Sequence, residues 1–139
     1  FLDFLVGWLN LIPLVGIETF EGIACSPAAL TELSNVDLDF LTLFTLLLYV
    51  SILTPIVEEV VFRGFVLDVA SERYGDWMSI FISAFLFAII HVEAVSVLNA
   101  FMGGLIYGYV RIRTGSLWPP ILLHFAWNTH LYLIMILCI

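Results

Sequence analysis

Thr54-Pro55-Ile56-Val57-Glu58-Glu59-Val60-Val61-Phe62-Arg63-Gly64 is the stretch on which the reading of this chain turns. Glu58, Glu59 and Arg63 stand in a run of Val, Ile, Leu, Phe and Tyr. From Leu41 to Ile56 there is no charge, and from Gly64 to Val69 only Asp68. A charged side chain in an apolar segment is costly unless it is paired. Three within six residues point away from packing and toward a site.

The surroundings make lipid the solvent. Hydrophobic residues are 63% of the 139 and charged residues 12%, against roughly 45–50% and 25% in soluble domains. So apolar a chain cannot cover itself with polar surface. The expected fold class is therefore an all-α, multipass transmembrane helical bundle in the cell membrane, with the lipid bilayer as a partner. The net charge is −8, with four arginines (Arg63, Arg73, Arg111, Arg113) and no lysine. That excludes nucleic acid, which requires a basic stripe. Cys25 and Cys138 lie far apart without metal-type spacing.

Residues 1–37 read as a partial N-terminal helix or interfacial segment followed by an acidic extramembrane loop, with Glu18, Glu21, Glu32 and Asp37. A short helix can start at Pro27 behind Ser26. The chain opens at Phe1 without a Met, and we read it as a fragment lacking upstream helices. Residues 38–139 carry the core, about four transmembrane helices. The first runs from Leu38 to about Glu72 and is expected to break or restart near Thr54-Pro55. The others run Trp77–Val92, Ser96–Ile112 and Leu117–Ile139, separated by turns at Ala70–Asp76, Glu93–Val95 and Thr114–Ser116. Arg73, Arg111 and Arg113 then fall on one side, which the positive-inside rule makes cytoplasmic.

Depth along these helices brings the polar groups together. At ~1.5 Å per residue, Glu58 and His91 each lie about 21 Å from the cytoplasmic ends of their helices, His124 about 10 Å and Asn128 about 16 Å. Glu59 and Arg63, four apart, share a helix face and can pair. Glu58 points about 100° away and is the carboxylate left to act as a general base. Its match in depth makes His91 its expected partner. Glu93 can orient His91 or simply be a solvated turn residue. His124 and Asn128, again four apart, present two donors suited to an oxyanion, or equally to an interhelical clamp. Gly104-Leu105-Ile106-Tyr107-Gly108, beside Gly103, reads as close helix packing.

Glu58-Glu59-x-x-x-Arg63, Phe87-x-x-x-His91 and His124-x-x-x-Asn128, in this order and each on its own helix, resemble the CPBP family. These are the CAAX-processing and bacteriocin-processing intramembrane proteases, also known as the Abi or type II CAAX prenyl endopeptidase family. The resemblance covers roughly residues 40–135. It implies an endopeptidase that cleaves a membrane-associated peptide or protein. Glu58 and His91 would activate a water, His124 and Asn128 would bind the oxyanion, and Glu59 and Arg63 would support the site. No cofactor is required on this reading. There is no His-Glu-x-x-His motif, but Glu58, His91 and His124 are a donor set that can ligate Zn²⁺. Two other classes stay open: a non-catalytic bacteriocin self-immunity protein on the same fold, and a proton or ion transporter relaying through Glu58 and His91. The motifs serve a prenylated C-terminus and a bacteriocin leader alike, and they carry no signal for oligomeric state.

Overall fold

The computed structural model describes residues 39–91 and 94–137, without the side chains of residues 94 and 95. The expected N-terminal helix, the acidic loop, the Pro27 helix, Glu93 and both cysteines lie outside the described residues. Every described element is helical. We number the helices α1 (Phe40–Tyr74), α2 (Asp76–Ile89), α3 (Ala94–Thr114) and α4 (Trp118–Leu137).

Asp39 begins α1, its carboxylate accepting the Thr42 N–H at 2.8 Å. That bond holds the Asp39 carboxyl below its usual range. The break or restart expected near Thr54-Pro55 takes the form of an α-helix restarting at Thr54 without interruption of the helical path, and α1 runs on for 35 residues. The helix widens instead: Leu48–Leu53 and Val60–Val66 are π-helical, on either side of α-helical Thr54–Glu59. Pro55 has no N–H to donate, so a wider turn before it absorbs the missing bond. Thr54 Oγ1 donates to the Tyr49 carbonyl at 3.0 Å. Gly75 (φ 76°) and Gly115 (φ 64°) make the two turns that follow α1 and α3, in a region a side chain disfavours. Ser116 Oγ accepts the Trp118 N–H at 3.3 Å, and Pro119-Pro120 fills the first turn of α4.

Leu48–Asn128 forms one compact unit. Within it α2 runs antiparallel to α3: Trp77 stacks on Tyr109, Phe81 meets Phe101 edge-on, and Ala84 and Ile80 lie against Gly104 and Gly108. α3 runs parallel to α1, with Arg63 at Gly104, Leu67 at Gly108 and Asp68 bonded to Arg111. α4 runs antiparallel to α1, with Leu117 at Gly64 and His124 at Glu59. α1 is therefore the helix that all the others touch in this unit. Residues 39–47 and 129–137 belong to a second unit, in which Tyr132 Oη donates to the Leu43 carbonyl at 2.6 Å.

α1 and α4 are long and apolar enough to cross a membrane. Only 11% and 17% of their most apolar windows are buried, whereas the core helix of a soluble protein would be mostly covered. Phe40, Phe65, Val69, Leu122 and Leu133 all stand exposed. This is a membrane protein. α2, at 14 residues, is shorter than expected and spans only about 21 Å. Exposed Tyr74, Trp77 and Trp118 gather at the helix ends that carry Arg73, Arg111 and Arg113, as interfacial aromatics do.

Candidate active site

The two glutamates stand on α1 between its wide turns, and their side chains part company there. Glu59 is fully buried, and its Oε1 accepts Arg63 Nη1 at 3.1 Å, as the four-residue spacing foretells. The same oxygen accepts the Nδ1–H of His124 on α4 at 2.9 Å. Glu58 keeps 20% of its side chain exposed and places Oε2 3.5 Å from His124 Nε2. The result is a continuous line of polar contacts, Arg63–Glu59–His124–Glu58, running from the buried interior out to Glu58.

Aromatic rings enclose this line. The Arg63 guanidinium lies 4.6 Å from the centroid of Phe87 and 5.3 Å from that of Tyr107, where the ring quadrupoles favour a cation. Phe87 meets both histidines edge-on, His91 at 5.0 Å and His124 at 5.6 Å. α3 approaches closely enough at Gly104 that a Cβ there would sit 3.1 Å from Arg63 Nη2 and 2.9 Å from Ala84. Glu59 Oε2, Arg63 Nε and Nη2 are buried without a protein partner.

His91 lies just past the end of α2 rather than inside it. Its backbone N–H returns to the Ala88 carbonyl, and its Nδ1–H donates to the Phe87 carbonyl at 3.0 Å. That bond leaves Nε2 as the reactive nitrogen. Equal depth made His91 the expected partner of Glu58, but the imidazole in measured contact with that carboxylate belongs to His124. Asn128, one turn beyond His124, donates an amide hydrogen to the Val50 carbonyl at 2.9 Å. Val50 lies in the first wide turn of α1, and Phe62 in the second receives Ser83 Oγ at 2.7 Å. A side chain from a neighbouring helix thus latches each wide turn. Tyr107, Gly104 and Ser83 carry no charge; the Gly-rich spacing of α3 marked the stretch holding the first two, and nothing in the sequence marked Ser83 on α2.

Among the described residues no three of His, Cys, Asp and Glu converge as a metal-binding set.

The model for the type II CAAX prenyl endopeptidase Rce1-like family matches residues 40–130. The chain belongs to that family. An Escherichia coli protein described only by its mass of 24.3 kDa is 39% identical over 103 residues, covering 70% of this chain and 44% of that protein. A Bacillus subtilis (strain 168) protein named "Putative membrane peptidase YdiL" is 29% identical over 100 residues, covering 71% of this chain and 41% of that protein. The chain thus spans less than half the length of these relatives. No solved structure gives a significant match.

Proposed function

We propose that this protein is a multipass intramembrane endopeptidase that cleaves a peptide bond of a membrane-associated peptide or protein, with a water activated by Glu58 and His91. The observation that carries this reading is the line Arg63–Glu59–His124–Glu58, buried at one end and partly open only at Glu58. Glu58 draws a proton from the water, whose oxygen attacks the scissile carbonyl. His91, held through Nδ1, offers Nε2 to orient that water. With Glu59 accepting from Nδ1–H, His124 can donate through Nε2 only when both ring nitrogens carry a proton. The oxyanion then receives His124 Nε2–H and the second amide hydrogen of Asn128. Glu58 finally returns its proton to the leaving nitrogen.

No step passes through a metal. The family favours a CAAX-type substrate over a bacteriocin leader. All four helices would lie in the cell membrane, with the arginine end cytoplasmic.

The test uses the full-length protein in liposomes with two peptides, a prenylated CAAX peptide and an unprenylated leader. Cleavage of the first is expected to vanish in Glu58→Gln and in His91→Ala and to persist with phenanthroline. Cleavage that survives both substitutions would sink the mechanism, and loss with phenanthroline would restore a metal to it.

A further inference from the structure

α3 contributes no Asp, Glu, His or Arg to the site, yet one of its side chains touches two members of the line. Tyr107 is 4% exposed, and its ring lies nearly parallel to the His124 imidazole, at 5.1 Å and 20°. The same ring stands 5.3 Å from the Arg63 guanidinium carbon. Helix side chains lean toward the N-terminus, so the Tyr107 ring folds back over the preceding turn, where residue 103 is glycine. A Cβ at Gly103 would lie 3.4–3.5 Å from Cε2, Cζ and Oη of Tyr107. Alanine would just touch the ring, and any larger side chain would contest its place.

The imidazole has a demanding task. Nδ1 must stay 2.9 Å from Glu59 while Nε2 faces Glu58 at 3.5 Å, so its plane must not turn about the Cβ–Cγ bond. Hydrogen bonds at the two nitrogens resist sliding of the ring but resist tilting weakly. A stacked ring on one face and the Phe87 edge (84° to the imidazole) stop the tilt. We infer that Tyr107 is a positioning residue of the proteolytic site: its ring face, seated over Gly103, holds the His124 imidazole in the plane that Glu59 and Glu58 require. This inference rests on the protease reading for its catalytic consequence, and on the stack alone for its structural one.

The contacts come from the ring face, so the hydroxyl is dispensable and the aromatic plane is not. In liposomes, Tyr107→Leu is expected to lower kcat about 100-fold, the scale of a 1 Å misplacement, with KM within about threefold. Tyr107→Phe is expected to restore kcat to within about threefold of wild type. A Leu variant with wild-type kcat overturns the inference, as does a Phe variant no better than Leu. The second readout needs no turnover: the imidazole proton signals of histidine-labelled protein in detergent, with His124 assigned through His124→Gln. The His124 signal is expected upfield in wild type and in Tyr107→Phe, shifted by the stacked ring, and back at its ordinary position in Tyr107→Leu. An unshifted His124 in wild type overturns the inference even if the Leu variant fails to fold. A shifted His124 in a protein that cleaves neither peptide would sink the protease reading and leave the stack standing.

Discussion

Replacing Glu59 by Gln keeps the shape of the side chain and removes the charge on which Arg63 and His124 both depend. Glu59 and Arg63 are wholly buried and their hydrogen bond is 3.1 Å long, while the imidazole contact is 2.9 Å. At an effective dielectric of 20, unit charges at those separations attract by roughly 5 kcal/mol per contact before desolvation is counted. Removing one partner of a buried pair strands the other, and the measured effect is about 3–5 kcal/mol. Glu59→Gln should therefore lower the thermal midpoint in mild detergent by on the order of 10 °C. Cleavage should fall as well, because His124 loses the carboxylate that holds its Nδ1. The double variant Glu59→Gln/Arg63→Met separates the two effects. With no cation left buried, stability should recover most of the loss, while cleavage stays low because His124 still lacks its carboxylate. A single variant within about 2 °C of wild type in midpoint would refute the idea that Glu59 compensates Arg63. A double variant that recovers cleavage would refute the role given to Glu59 at His124.

Gly104→Val should destabilise by about 1–3 kcal/mol, because even the first carbon of the new side chain meets Ala84 at 2.9 Å and Arg63 Nη2 at 3.1 Å; thermal unfolding in detergent measures it. Ser83→Ala removes the 2.7 Å bond to the Phe62 carbonyl and should lower stability by about 1 kcal/mol, with faster amide exchange through Val60–Val66 as the local sign. Asp68→Asn breaks the pair with Arg111, whose carboxylate side is 47% exposed. It should cost less than about 1 kcal/mol and leave cleavage unchanged in the liposome assay.

Composition alone settled the solvent: a chain with 63% hydrophobic residues has no soluble arrangement, and its long apolar runs become helices because lipid leaves backbone groups no other partner. The pairing of Glu59 with Arg63 was equally legible, since a four-residue spacing is a contact wherever the chain is helical. Family motifs could be quoted residue by residue for the same reason, each lying within a single helix. Pro55 marked where the α-helix restarts but not how, because a proline states only that a bond is missing. Whether the helix breaks or widens depends on who takes the freed carbonyl, and Asn128 of α4 takes that of Val50. Depth counting put His91 level with Glu58 and His124 about two turns nearer the cytoplasmic end, but rise per residue says nothing of rotation about each helix axis. Packing sets that rotation, and it turned His124 between the two glutamates. Tyr107 had no charge to betray it, and only the meeting of α1, α3 and α4 laid its ring against the imidazole. Sequence by itself determined the medium, the helices and the residues able to react. Tertiary structure decided which of those residues face one another, because contacts between helices depend on rotation and close approach, which no spacing within one helix encodes.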